Sequence, residues 1–271
     1  MIDLDTDPDG WWRAVYSNTA IITQRNDGLA DVADTHAYPT SSLSSPHVVA
    51  EMLDLLDIAS HHQVLGIGAG SGWTDALLAW RLGDDQVTTV EIDEYVAARA
   101  SANYKAAGYL PTLLIGDGTR GAPDGAPYDR MHVTCGVRNV PYEWIEQTRP
   151  GGSIVLPWMP MPGQWGYQLR LDVLDDGVAV GRFHGDCGFM MLRSQRVESW
   201  PPYADTDVKS TSRLDPREPA GALDRGFALH LAALAPHLTI TAADQEDDGW
   251  GIRLRDLTGP ASRHSRRRVL Q

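Results

Sequence analysis

Gln63-Val64-Leu65-Gly66-Ile67-Gly68-Ala69-Gly70-Ser71-Gly72-Trp73 is the stretch on which the fold turns. Its first five residues form a short apolar run of the length and composition of a buried β-strand. Gly68, Gly70 and Gly72 then alternate, and Trp73 to Leu82 has the pattern of a helix. A strand that turns through alternating glycines into a helix offers bare backbone to a ligand, because glycine tolerates positive φ and allows close approach. Such loops also serve dinucleotides and plain tight turns, so the loop alone leaves the ligand open.

Reading outward, the alternation continues. Val87 to Glu91 is expected as a second strand and Glu94 to Ala107 as a second helix. Thr112 to Ile115, Tyr128 to Val133 and Ser153 to Leu156 supply three further strands. Strands interleaved with helical patterns indicate an α/β fold with a mostly parallel sheet covered on both faces. Upstream, Pro46 suits the first turn of a helix capped by Ser45, with an apolar face on Val48, Val49, Met52, Leu53, Leu55 and Leu56. Tyr38 to Pro46 reads as a polar loop, Trp11 to Tyr16 as a short helix and Ile21 to Thr23 as a short strand.

Past Pro157 the texture changes. Trp158 to Gly163 is a break, and two alternating runs, 168–174 and 177–183, flank Asp175-Asp176-Gly177 as a hairpin. Ala222 to Leu238 looks helical. The expected organisation is an N-terminal segment (1–40), a ligand-binding domain (41–158), a C-terminal antiparallel or mixed extension (159–260) and a basic, disordered tail (261–271).

Two acidic features follow the glycine loop at the ends of successive strands. Glu91 closes the second strand, where a carboxylate can accept hydrogen bonds from both ribose hydroxyls. Gly116-Asp117-Gly118 follows the third, where Asp117 can accept from an adenine amino group. Taken singly, the first is also a solvated strand end and the second a turn. Together they point to an adenosyl ligand across the strand ends. The spacing GxGxxG that suits a pyrophosphate is absent, and a third acidic loop favours a cationic sulfonium over an anionic dinucleotide.

The 271 residues carry a formal charge of −13. A body that acidic repels phosphate backbones, so nucleic acid is a poor partner and a peptide or small molecule a better one. Two cysteines, Cys135 and Cys187, make no framework, and the acidic start Met1 to Asp5 lacks a signal-peptide pattern. No apolar run approaches the roughly 20 residues that span a bilayer. A cytoplasmic protein that does not engage the membrane is expected. His61-His62 have no cysteine or further histidine at zinc spacing, so surface histidines and no metal are expected. Cys135 reads as a packing thiol, Arg138 as either a surface arginine or a grip for a peptide carboxylate. Trp158, Trp165 and Trp200 read as core or as lining for a peptide groove.

From Leu43 to Pro157 the chain resembles the protein-L-isoaspartate O-methyltransferases. The residues that carry the resemblance are Leu43-Ser44-Ser45-Pro46-His47-Val48-Val49-Ala50, Val64 to Trp73, Val90-Glu91-Ile92-Asp93, Gly116-Asp117-Gly118, Ala126-Pro127-Tyr128-Asp129 and Pro150 to Pro157. The resemblance implies a Rossmann-like class I methyltransferase fold. It implies S-adenosyl-L-methionine on Gly68, Ala69, Gly70, Ser71, Gly72, Glu91, Ile92, Asp117 and Gly118, with Ser44 beside the substrate carboxylate and the methyl group. It further implies a peptide or protein substrate bearing aspartate or isoaspartate.

Two departures stand out. The family pattern has an acid where this chain has Gly66, a loss that implies either lower cofactor affinity or partial compensation by another acid such as Asp93. The long C-terminal part and the tryptophan-rich N-terminus are more similar to actinobacterial homologues that accompany ribosomal-peptide maturases of the lanthipeptide and graspetide kind. That points to peptide tailoring ahead of general repair. A small-molecule methyltransferase, and a peptide-binding homologue with weakened catalysis, are the competing readings.

Overall fold

The structure is a computed structural model and describes residues 4–160, 165–196, 208–210, 232–235, 238–244, 250–256 and 268–270. The chain divides into two units, the first comprising Met1–Trp158 and Gly166–Gln195, the second Met159–Trp165 and Arg196–Gln271.

The first unit opens with helix α1 (Pro8–Val15), three residues earlier than the tryptophan pair suggests, because Asp7 caps it and Pro8 fits its first turn. Strands β1 (Ile21–Arg25) and β2 (Pro39–Leu43) then pair as an antiparallel ribbon. The expected polar loop at 38–46 is therefore largely a strand. Its serines do not mark exposure: Ser41 is buried and accepts a hydrogen bond from the Thr23 hydroxyl at 3.1 Å.

The main sheet is built from β3 (Val64–Ile67), β4 (Val87–Glu91), β5 (Thr112–Ile115), β6 (Tyr128–Val133), β7 (Thr148–Trp158), β8 (Gly166–Val173) and β9 (Ala179–Cys187), in the order β5-β4-β3-β6-β7-β8-β9. The first five pair in parallel and β8 and β9 are antiparallel. Helix α2 (Pro46–Leu56) leads from the ribbon into β3, and α3 (Trp73–Leu82), α4 (Glu94–Ala107) and α5 (Tyr142–Glu146) lie between β3 and β4, β4 and β5, and β6 and β7. The alternating run of strands and helices is thus an α/β sheet of Rossmann-like form.

The hairpin expected in a C-terminal subdomain instead extends this sheet. Strand β7 offers a free edge along Ser153 to Trp158, and β8 pairs with it residue by residue. Strand β7 also begins earlier than the apolar run Ser153 to Leu156, because Gly151, at φ +76°, lets the chain bulge between Thr148 and Ser153.

Two apolar layers sandwich the sheet. One face packs Leu65, Ile67, Met131, Val133, Ile154 and Leu156 around Trp144 of α5. The other packs Val64, Val87 and Val155 under Met52 and Leu56 of α2 and Leu78 of α3. The side-chain period of two along each strand divides the residues between these layers.

The second unit contains a sheet of β10 (Val208–Ser210), β13 (Arg268–Leu270), β12 (Trp250–Asp256) and β11 (Leu238–Asp244), in that order. The basic tail is not wholly irregular, since Arg268–Leu270 pairs antiparallel with β12. Most of the expected helix at 222–238, residues 263–267 of the tail, and Trp200 lie outside the described residues, and Leu238 already belongs to β11.

Candidate functional site

Strand order reverses at β3: the chain runs from β3 through β4 to β5 on one side, then returns to place β6 on the other. In open α/β sheets ligands bind outside the strand ends at such a point. The glycine loop emerges there. Gly68, Gly70 and Gly72 all have positive φ, at +88°, +55° and +84°, conformations that exact a cost from any residue with a Cβ. Space imposes the same choice at two of them. A Cβ on Gly68 would sit 2.9 Å from the Thr134 hydroxyl, and one on Gly72 would sit 2.5 Å from the Tyr104 ring.

The loop is pinned from both neighbouring strands. Gly68 donates its N–H to the Val90 carbonyl at 2.8 Å, and Thr134, just after β6, donates its N–H to the Ile67 carbonyl at 2.9 Å. The Thr134 hydroxyl also donates to the Gly68 carbonyl. Asn103 of α4 donates to the Ser71 carbonyl at 2.8 Å.

Glu91 is the acidic centre of the arrangement and only 8% exposed. Its two oxygens accept from Gly70 N–H at 2.9 Å and Asp93 N–H at 3.0 Å, so the carboxylate is oriented by backbone on two sides. A carboxylate has about four acceptor sites, which leaves two for ribose hydroxyls. The Glu91 carbonyl accepts from Gly116 N–H at 2.9 Å and so ties the Asp117 loop to the same end of the sheet. Asp117 itself caps a short 3-10 turn by accepting from Thr119 N–H at 3.0 Å. Gly118 is buried, with its carbonyl accepting from the Trp144 indole at 2.9 Å. Ile92 is partly exposed beside Glu91. The structure thus brings Gly68 to Gly72, Glu91, Ile92, Asp117 and Gly118 to one end of the sheet.

The serine strip reaches the same place. A Cβ on Gly70 would lie 3.6 Å from the Ser42 carbonyl and 4.0 Å from the Ser41 hydroxyl. Ser44 is half-buried between β2 and α2, two residues along from Ser42. Ser45 takes the N-cap position of α2 but makes no side-chain cap bond. Asn18 supplies one instead, accepting from His47 N–H at 3.0 Å.

Asp93 does not stand in for an acid at residue 66. It caps α4 through Tyr95 and Val96 N–H groups and accepts from Arg193 at 2.9 Å and Gln24 at 3.3 Å. Burial pushes its pKa up, yet hydrogen bonds from Arg193, Val96 and Gln24 outweigh that and hold it below the usual carboxylate range. Sequence reading missed Asp75, a helix residue with no motif to mark it. It is 3% exposed, and its pKa is pushed up to about 7, chiefly by burial, against the pull of the Tyr104 and Thr89 hydroxyls.

The remaining expectations sort as follows. His62 is not a surface residue: it is buried, and its Nδ1 accepts from Ala59 N–H at 3.0 Å, while burial lowers its pKa. Among the described residues no group of three or more His, Cys, Asp or Glu could hold a metal. Cys135 packs at the edge of the Trp144 core, and neither cysteine forms a disulfide. Arg138 is half-buried, with its N–H donating to Gln195 at 2.7 Å. Trp158 stacks obliquely with Tyr167 and Phe183, and Trp165 is exposed.

Comparison with known proteins fits this geometry. A family model, protein-L-isoaspartate(D-aspartate) O-methyltransferase, matches residues 13–196. The chain belongs to that family. A relative from Methanopyrus kandleri, a protein-L-isoaspartate O-methyltransferase, is 41% identical over 56% of this chain and 67% of its own length. A solved protein-L-isoaspartate O-methyltransferase aligns with a TM-score of 0.57 at 24% identity, over 66% of this chain and 54% of that one. A Plasmodium falciparum protein described as a β-aspartate methyltransferase, in complex with S-adenosyl-L-homocysteine, aligns at 0.53 and 14% identity over 66% of this chain and 82% of its own. This chain therefore spans about two thirds of the Methanopyrus relative and little more than half of the first structure. The matched residues of the family model run from α1 to just beyond β9, so the hairpin that completes the sheet lies within them.

Proposed function

We propose that this chain transfers a methyl group from S-adenosyl-L-methionine to an aspartyl or isoaspartyl carboxylate in a peptide or protein. The observation that carries the reading is the meeting of Ser41 and Ser42, on the strand that leads to Ser44, with the glycine loop, the Ser42 carbonyl lying 3.6 Å from where a Gly70 side chain would begin. On this reading the substrate would meet the cofactor where the two segments touch.

The residues present suit the cofactor. Gly68 to Gly72 leave backbone bare, the oriented Glu91 carboxylate has acceptor sites for the ribose, and Asp117 with Gly118 borders the adenine side. Ile92 lies alongside. Bound there, the cofactor supplies an electrophilic methyl, which passes to a carboxylate oxygen while the electron pair of the broken S–CH3 bond stays on sulfur. The protein needs no strong base, since a carboxylate is already nucleophilic near neutral pH. Its work is to align the oxygen, to exclude water and to strip the nucleophile of solvent. Ser44 would hydrogen-bond and orient that carboxylate and take no part in covalent chemistry.

Among the described residues no helix is long and apolar enough to cross a membrane, and a cytoplasmic site of action accords with two cysteines outside any disulfide. Within this reading we favour a dedicated peptide over damaged proteins at large. The formal charge of −13 suits a neutral or basic peptide better than nucleic acid.

The test is transfer of a labelled methyl group to an isoaspartyl peptide, read by base-labile label, with an aspartyl peptide and a panel of metabolites in parallel. Label on metabolites alone would move the chain to small-molecule chemistry. Ser44→Ala should lower turnover at least tenfold while cofactor affinity, measured by calorimetry, stays within about twofold. An unchanged rate removes Ser44 from the mechanism.

A further inference from the structure

We propose that Asp75 is a positioning residue for the glycine loop, its carboxylate occupying the volume that a side chain at residue 66 would need and bracing the loop through Tyr104. The inference rests on the reading of that loop as the cofactor cradle.

Gly66 sits mid-strand in β3 with ordinary extended backbone, for it is absent from the glycines of positive φ. Its dihedrals do not call for glycine, and a glycine in a central strand weakens it. The requirement comes from what lies above it. A Cβ there would be 2.7 Å from Asp75 Oδ1 and 2.9 Å from Thr89 Oγ1, closer than real Cβ contacts come. Thr89 is the register neighbour of Gly66 on β4, and Asp75 reaches in from the first turn of α3. One small volume therefore holds a carboxylate delivered by a helix in place of a side chain delivered by the strand.

That carboxylate is connected to the loop. Asp75 Oδ2 accepts from the Tyr104 hydroxyl at 2.7 Å, and both groups are buried. Tyr104 comes from α4 and packs with Ala69 of the loop and Ala100. Its ring lies so close under Gly72 that a Cβ there would meet Cε1 at 2.5 Å. Asp75 thus fixes the tyrosine, and the tyrosine forms the floor under Ala69 and Gly72. A carboxylate arriving from α3 thus fills the space that a side chain on β3 would take.

The full-length chain tests this with four proteins: wild type, Gly66→Asp, Asp75→Ala and the double variant Gly66→Asp/Asp75→Ala. Two readings are taken, thermal unfolding without ligand and calorimetric affinity for S-adenosyl-L-homocysteine. Gly66→Asp alone should unfold at lower temperature and lose at least about tenfold in affinity, because two carboxylates compete for one space. In the double variant the Asp75 carboxylate is gone, the Thr89 hydroxyl can turn aside, and the Thr89 Cβ, 3.2 Å from the new Cβ, has to give by only a few tenths of an ångström. Affinity should return to within about threefold of wild type and the unfolding temperature should exceed that of Gly66→Asp. Asp75→Asn, which still accepts from Tyr104, should bind better than Asp75→Ala.

A Gly66→Asp variant that behaves as wild type, or a double variant as impaired as the sum of its parts, overturns the proposal. If wild type binds no ligand the cofactor reading fails, and the unfolding series still decides whether the two positions share one volume.

Discussion

Asp75 and His132 are fully buried titratable side chains that burial moves in opposite directions. Asp75 is raised to about 7, while His132, on β6 beside Gly66 in register, is lowered to about 4 by desolvation. Both ring nitrogens of His132 lack a hydrogen-bond partner, so the neutral form is the one the site tolerates. Asp75, with a folded pKa above its unfolded value, stabilises the fold fully below about pH 4 and loses that contribution as pH rises through about 7. His132, depressed from 6.5, stabilises fully above about pH 6.5 and loses its contribution as pH falls towards 4. Each slope is about 1.4 kcal/mol per pH unit, and between pH 4 and 6.5 the two cancel. Chemical denaturation at pH 4.5, 5.5 and 6.5 should therefore show Asp75→Asn gaining stability with rising pH relative to wild type, and His132→Leu losing it. Parallel profiles for the three proteins would contradict the assignment. Neither residue announced itself in the sequence, since Asp75 reads as an ordinary first-turn helix acid and His132 as one polar residue in an apolar strand. Their environments are made by α3, α4 and the sheet together.

Helix α2 illustrates the same division at the level of an element. Pro46 and the apolar face from Val48 to Leu56 were legible, and the helix forms over Pro46–Leu56. Its end groups were not, because their partners are distant in the chain. Asn18 caps the start, and at the far end Arg130 of β6 donates to the Leu56 carbonyl at 2.7 Å while Arg170 of β8 donates to Leu55 at 2.7 Å. Cations at a helix C-terminus also complement its dipole. Arg130→Met should destabilise the fold by about 1–3 kcal/mol, the cost of leaving a buried carbonyl unpaired, as read from urea unfolding. Restoring the charge with Arg130→Lys should recover only part of this, since a single ammonium cannot reproduce the spread of guanidinium donors. A loss within about 0.5 kcal/mol for Met would show that water replaces the guanidinium. The misread loop at 38–46 has a related cause: a strand of Thr and Ser carries no apolar alternation, and its pairing with β1 lies in backbone bonds that composition does not record.

Across the whole molecule, the parallel strands could be placed from their apolar runs, since β4, β5 and β6 follow the expected residues. The membership of the hairpin could not, because alternation reveals a strand but not which edge receives it. Nor could the tie between the N-terminal ribbon and the C-terminal ends of the parallel strands. Arg193, just past β9, bridges Asp27 at 3.0 Å and Asp93 at 2.9 Å, while Gln24 of β1 reaches the same Asp93. Three segments far apart in sequence meet at one guanidinium. Arg193→Gln should accelerate amide exchange in 21–25 and 39–43 about tenfold while β3, β4 and β6 keep their protection, a local loosening without global unfolding. Equal acceleration in ribbon and sheet would mean that the bridge supports the fold as a whole.

The shared volume at Gly66 and Asp75 also couples the two positions. A side chain at residue 66 and the Asp75 carboxylate would collide beneath the loop, so changes at the two positions do not act independently. A side chain at residue 66 is therefore tolerated better when the helix side chain at residue 75 is shortened, and less well when it is kept. Two residues nine positions apart, on different elements, are in this sense a single site.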